Sequence, residues 1–284
     1  MTDDKPITKK RVLVNNLNDL TAREWIPETI SVYVQKGLGA KHKDAQIEKQ
    51  HPAPYSFQDV ARLIRFFTKS KQRVLDPFVG IGSTLKACAV HNRKGVGIEL
   101  VPKYVELSKK RLEIELGELF DNKEQTIIEG NALKEIKKFE DDYFDFIVTS
   151  PPYWSILNKK ADHKVKETRL ANNLDTKYSE HKDDLANIPD YEKFLDVLSD
   201  FFKDCGRILK PKKYLCIVVS DFRNKDKYYM FHSDLASKLE KKGYQLKGIT
   251  ILYQGRKKVY PYGYPYSYVP NIHHQYILIL QNTK

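Results

Sequence analysis

Cysteine is scarce. The three in this chain of 284 residues, Cys88, Cys205 and Cys216, are odd in number and sit in apolar segments. That excludes a disulfide frame and a zinc site, and suits reduced core thiols of a cytoplasmic protein. No metal ligands are expected. Long apolar runs are missing as well: nothing approaches the roughly 18 consecutive apolar residues of a membrane span. The opening Met1-Thr2-Asp3-Asp4-Lys5 lacks the basic-then-apolar pattern of a secretory signal. Acidic residues disappear after Glu240, while Lys241, Lys242, Lys247, Arg256, Lys257, Lys258 and Lys284 follow. Clustering of one sign is what a polyanion-facing surface needs, and the net charge of +12 agrees with it.

What the chain has is a strand–turn–helix signature. The apolar Arg73-Val74-Leu75 runs into Asp76-Pro77-Phe78-Val79-Gly80-Ile81-Gly82-Ser83-Thr84, and Leu85 to Ala89 continues as a helix. Two glycines flanking one residue allow a sharp turn and close backbone approach to a ligand. The helix start then offers free N–H groups. Nineteen residues beyond Gly80, the short strand Lys94 to Leu100 contains Glu99. An acid about 20 residues past a glycine turn is where doubly wound folds bind ribose hydroxyls. Its other reading is a cap on the helix that Pro102 opens. The ribose reading is preferred because the glycine turn precedes it.

Further strands are expected at Thr126–Glu129, before Gly130-Asn131-Ala132, and at Tyr143–Thr149. Alternating strands and helices imply an α/β fold of Rossmann-like, doubly wound type, with a mostly parallel sheet and an antiparallel C-terminal strand. All these motifs end strands on the carboxyl edge, where such sheets bind ligands. Helices are expected from Phe57 to Thr68, capped by Ser56, and from Tyr191 to Leu209, capped by Asp190 and stopped by Pro211. A buried strand follows at Tyr214–Val219, a helix at about Phe231–Lys242, and strands near Gln245–Tyr253 and Gln275–Leu280.

The strand ending at Thr149 runs into Ser150-Pro151-Pro152-Tyr153-Trp154. Two prolines fix φ and remove two donors. The Pro151 carbonyl and the Ser150 hydroxyl remain as acceptors, and Tyr153 and Trp154 add flat faces. Together they can hold a planar amino group by its two hydrogens and stack on its ring.

Asp-Pro-Phe-x-Gly-x-Gly-Ser-Thr together with Ser-Pro-Pro-Tyr resembles the S-adenosylmethionine-dependent DNA methyltransferases that modify exocyclic amino groups, N4 of cytosine or N6 of adenine. The resemblance implies S-adenosyl-L-methionine as cofactor. It assigns cofactor binding to Tyr55, Asp76, Pro77, Phe78, Gly80, Gly82, Ser83, Thr84, Glu99, Leu100, Asn131 and Ala132. Asn131 stands where the family usually has Asp. The catalytic residues carried over are Ser150, Pro151, Pro152 and Tyr153. Serine before Pro-Pro-Tyr is the form more typical of N4-cytosine enzymes, so site-specific N4-cytosine methylation is expected, with N6-adenine or RNA amino-methylation as alternatives. A C5-cytosine enzyme needs a nucleophilic cysteine, usually after proline, and no cysteine here follows one.

The implied partner is double-stranded DNA with the target base flipped out. A cognate restriction endonuclease is a second implied partner, and the chain is expected to be a monomer or a homodimer. Residues 1–50 are expected to form an N-terminal arm, and residues 51–284 a catalytic domain. That domain carries an inserted loop at 155–190, functional or simply solvated, and a Tyr-rich loop at 254–274. Recognition falls to the arm and these loops, with Trp154, Lys159, Lys160, Arg256, Lys257, Lys258, Tyr260 and Tyr262 as nucleic-acid contacts.

Overall fold

The computed structural model describes residues 14–35, 56–117, 121, 123–154 and 183–284. Tyr55, Lys159, Lys160 and most of the 155–190 loop lie outside them. The elements in order are α1 (Ala22–Glu28), β1 (Val32–Val34), α2 (Phe57–Phe67), β2 (Arg73–Asp76), α3 (Ser83–Val90), β3 (Lys94–Glu99) and α4 (Pro102–Leu116). Then come β4 (Gln125–Glu129), α5 (Ala132–Glu135), β5 (Phe144–Thr149), α6 (Tyr191–Ile208), β6 (Leu209–Val219), β7 (Phe222–Asn224) and β8 (Lys227–Tyr229). The chain closes with α7 (Phe231–Glu240), β9 (Tyr244–Tyr253) and β10 (His274–Asn282).

Eight strands form one sheet in the order β1-β9-β10-β6-β5-β2-β3-β4. Among the described residues β10 alone runs against the rest of this sheet: it is antiparallel to β6 and β9, and the other pairings are parallel. The chain moves outward from β2 through β3 to β4, then returns to place β5 on the other side of β2. The point between β2 and β5 is a topological switch, where doubly wound sheets open a ligand crevice.

Strand alternation builds the two covered faces. Leu75, Ile147, Leu215 and Ile217 pack with Phe194, Leu198, Phe202 and Leu235 of α6 and α7. Val74, Phe146, Cys216 and Val218 face Val60, Ile64 and Phe67 of α2. Ser56 caps α2 by accepting the Gln58 N–H, and Asp190 caps α6 through the Lys193 N–H. Each cap contributes about 1 kcal/mol.

Three sequence expectations change. The N-terminal arm is not separate along its whole length: β1 pairs with β9 as the sheet's edge strand. Pro211 does not mark the break after α6. The helix ends at Ile208 and β6 begins at once. Pro211 lies where the pairing to β5 slips, next to Lys212 in a left-handed conformation (φ 59). A β-strand tolerates proline at such a bulge. Finally, Phe222–Asn224 and Lys227–Tyr229 form an antiparallel hairpin that no period announced.

Candidate active site

The glycine turn is held from below by one carboxylate. Asp76, fully buried at the end of β2, accepts the Phe78 N–H at 3.1 Å and the Thr84 hydroxyl at 2.5 Å. It also accepts the hydroxyl of Thr149, the last residue of β5, at 2.7 Å. Gly80 and Gly82 take positive φ values of 54° and 80°. At Gly82 a Cβ would lie 2.3 Å from Ser108 Oγ, so only glycine fits where the turn enters α3. Behind the turn, Arg111 is completely buried. Its Nη1 donates to the Ile81 carbonyl and to Ser83 Oγ, and its Nε to both oxygens of Glu115.

Above this turn opens a cleft of about 830 Å³, counting its solvent mouth. Its walls include Phe78, Gly80 and Ser83 from the turn, Glu99 at the end of β3 and Leu100 just after it. Asn131 and Ala132 line it after β4, as do Ser150 and Pro152 after β5. Glu99 accepts the Gly80 N–H through one oxygen at 3.0 Å and the Val101 N–H through the other at 2.8 Å. It therefore braces both the turn and the chain that enters α4. Burial pushes its carboxyl up to about 7, against the opposing pull of these N–H donors.

The second motif shares the cleft wall. Ser150 lines it, and its hydroxyl shares a hydrogen bond with the Tyr153 hydroxyl. Tyr153 also receives the Gln275 amide at 3.2 Å and bonds the Ser220 backbone, while its ring meets Phe231 edge-on. Burial raises the pKa of this phenol. Asn131 caps α5 by accepting the Leu133 N–H, and donates to Asp183 at 3.2 Å.

The sequence-based site residues therefore divide. Pro77, Phe78, Gly80, Ser83, Glu99, Leu100, Asn131, Ala132, Ser150 and Pro152 line one cleft. Asp76, Gly82 and Thr84 stand behind its wall and shape it; a buried carboxylate with three donors is a brace, not a contact surface. Pro151 is buried in the strand-to-loop turn. Trp154 does not offer a face to nucleic acid: it is 7% exposed, donates its indole N–H to the Ile188 carbonyl, and packs on Tyr191 and Tyr229. Its apolar bulk fills the core where α6 meets the β7–β8 hairpin. Lys257 is exposed, and its ammonium donates to the Ile272 carbonyl at 2.8 Å.

Tyr260 is clamped by Asn271, which accepts its N–H and donates to its carbonyl, and its ring lies 5.6 Å from that of Tyr262. Arg256 and Lys258 are exposed. Sequence reasoning missed Asp183, Asp184 and Leu185, which close one end of the cleft, and Tyr104 of α4, which lines it. It missed Arg111 as well. Tyr104 and Arg111 carry only the spacing of a buried helix face, and Asp183 lies in a stretch without period.

Among the described residues no helix is long and apolar enough to cross a membrane, and no cluster of His, Cys, Asp or Glu could hold a metal ion. Among curated proteins, the type II methyltransferase M.BglI of Bacillus subtilis is 40% identical over 63 residues, 22% of this chain and 18% of that protein. The type II methyltransferase M.HpaI of Haemophilus parainfluenzae is 37% identical over 67 residues, 24% of this chain and 21% of that protein. The matched stretches thus span about a fifth of these relatives. Among solved structures, TrmN from Thermus thermophilus superposes with a TM-score of 0.48 at 15% identity, over 80% of this chain and 48% of the other. A family profile described as DNA methylase, of the N6 and N4 type, matches residues 5–110 and 144–284. That match takes in both the glycine turn and the Ser150 turn, the two motifs Asp76 and Thr149 join, and the chain belongs to the N6/N4 DNA methylase family.

Proposed function

We propose that this protein transfers a methyl group from S-adenosyl-L-methionine to the N4 amino group of cytosine in double-stranded DNA. The observation that carries the reading is the shared wall. Ser150 and Glu99 line one cleft at the switch point of the sheet.

The residues present fit the cofactor. Glu99 keeps two carboxylate oxygens at the cleft, a pair of acceptors suited to two adjacent ribose hydroxyls. Asn131 and Asp183, hydrogen-bonded to each other, supply amide and carboxylate groups for an adenine edge. The apolar walls Phe78, Ile98 and Leu100 suit a flat ring. When bound, S-adenosyl-L-methionine supplies a methyl group activated by its sulfonium.

The chain's own task is positioning. An exocyclic amine conjugated with its ring is a poor nucleophile. Ser150 Oγ and the Pro151 carbonyl accept its two N–H groups, orient the nitrogen lone pair and stabilise the positive charge that grows on nitrogen. Tyr153, fixed by its hydroxyl, stacks on the base, which must leave the duplex to reach the turn. The proton departs after transfer, and no strong base is required. Arg256 and Lys258 supply cations for phosphates, and Tyr260 and Tyr262 supply stacking faces. The kinship with type II methyltransferases supports a restriction endonuclease as functional partner. The basic surface and three buried free thiols support a cytoplasmic protein.

Incubation with methyl-labelled cofactor and either duplex DNA or RNA, followed by digestion to nucleosides, tests the reading. N4-methylcytosine in DNA is expected. N6-methyladenine would overturn the choice of base, and label in RNA alone would overturn the substrate.

A further inference from the structure

The β7–β8 hairpin leaves the carboxyl end of β6, next to β5 in the sheet and so beside the edge where Ser150 sits. Its register pairs Phe222 with Tyr229, Arg223 with Tyr228 and Asn224 with Lys227. Because strand side chains alternate, the two sides of the ribbon differ. One side is its root. Phe222 and Tyr229 stack at 5.3 Å and 17°, and both lie against Trp154 and Tyr191. Trp154 follows the Ser-Pro-Pro-Tyr motif directly, so the hairpin is mounted on the chain that carries the acceptor groups.

The other side and the tip are basic and aromatic. Lys225, Asp226 and Lys227 are exposed, and Lys225 makes the turn with φ 56°; Lys227 alternates to the root side, where its ammonium lies 4.8 Å from the centroid of the Tyr229 ring. Arg223 donates to the Lys225 carbonyl at 3.1 Å, so it lies along the turn. Tyr228 is exposed and its hydroxyl reaches Asp221 at 3.3 Å. Asp221 in turn holds His232 through Nδ1 at 2.6 Å. Tyr268 of the Tyr-rich loop lies in the neighbourhood of Tyr228. In that loop Tyr264, Tyr266 and Tyr268 are 82%, 93% and 87% exposed. Within residues 222–229, three cations against one acid, on a ribbon packed against Trp154, complement a phosphate backbone.

We infer that the β7–β8 hairpin is a duplex-DNA contact, a basic ribbon rooted on Trp154 that sets the phosphate backbone beside the Ser150 turn. A two-stranded ribbon is narrow enough to enter a major groove about 12 Å wide. The inference rests on the DNA-methylase reading and adds the surface that holds the duplex. Trp154 contributes as the mount and not as a stacking face.

The test compares Lys225→Ser/Lys227→Ser with the control pair Lys110→Ser/Lys137→Ser, which removes equal charge from exposed positions near the β4 edge of the sheet. Duplex DNA, duplex RNA and cofactor binding are measured across a salt series. For the hairpin variant, DNA affinity is expected to fall about tenfold at low salt, and the slope of log K against log salt to drop by about 1.8, or 0.9 per lost phosphate contact. Cofactor affinity and the control variant should match the wild type. Equal losses in both variants, no loss in either, or losses confined to duplex RNA would each overturn the inference while wild-type methylation of DNA leaves the broader reading standing. A wild-type protein that neither binds nor methylates duplex DNA would overturn both.

Discussion

The hydroxyl of Thr149 donates to Asp76 Oδ1 at 2.7 Å, which ties the end of β5 to the end of β2. Thr149 immediately precedes Ser150, and Asp76 opens the glycine turn. One buried carboxylate thus sets the spacing between the part of the cleft that fits a cofactor and the part that fits an amine. Replacing Asp76 with Ala strands two hydroxyls and one N–H in the interior, each costing about 1–3 kcal/mol. A loss of about 4 kcal/mol is expected in urea denaturation, with weaker cofactor binding. A loss below about 1 kcal/mol would show that the brace is dispensable.

If Glu99 holds the ribose as proposed, cofactor affinity is expected to depend on pH. Its carboxyl, raised by burial to about 7, must be ionised to accept two ribose hydroxyls. Binding therefore releases a proton at low pH. Affinity measured by calorimetry should tighten by up to about tenfold per pH unit as pH rises to about 7, and level off above it. Glu99→Gln should bind weakly with a flat profile. A wild-type affinity that does not change between about pH 5.5 and 8 would remove Glu99 from the ribose site.

Trp154→Ala should lower stability by about 3–5 kcal/mol, because it empties a packed aromatic cluster and leaves the Ile188 carbonyl without its donor. Thermal denaturation reads this directly. Unchanged stability with reduced DNA binding would restore the nucleic-acid role expected from sequence.

Asp183 bonds both Asn131 and Lys134 at the far end of the cleft. Asp183→Ala should raise the cofactor dissociation constant by about ten- to 100-fold, roughly one hydrogen bond to a charged group. The fold should be undisturbed in circular dichroism. Unaltered cofactor affinity would place Asp183 outside the adenine end.

The parts legible in the sequence were those written in short, contiguous grammar. Arg73 to Ala89 declares strand, turn and helix because the apolar run, the two glycines and the helix start are adjacent. Ser150 to Tyr153 declares a rigid acceptor turn for the same reason. What escaped depends on distant partners. β1 is three residues long and becomes a strand only by pairing with Ile251 to Tyr253. Trp154 reads as an exposed stacking face until Tyr191, Phe222 and Tyr229 close around it. Arg111 sits at an ordinary helix position, and only the fold puts it under Ile81 and Ser83.

The most direct test separates the two halves of the cleft at Ser150. Its hydroxyl should contribute to transfer and not to cofactor binding. In single-turnover experiments with duplex DNA and labelled S-adenosyl-L-methionine, Ser150→Ala should keep cofactor affinity within about twofold of wild type. Methyl transfer should slow by about 100-fold or more. Transfer at the wild-type rate, or loss of cofactor binding equal to the loss of transfer, would contradict a site in which the glycine turn holds the methyl donor and the Ser150 turn holds the amine.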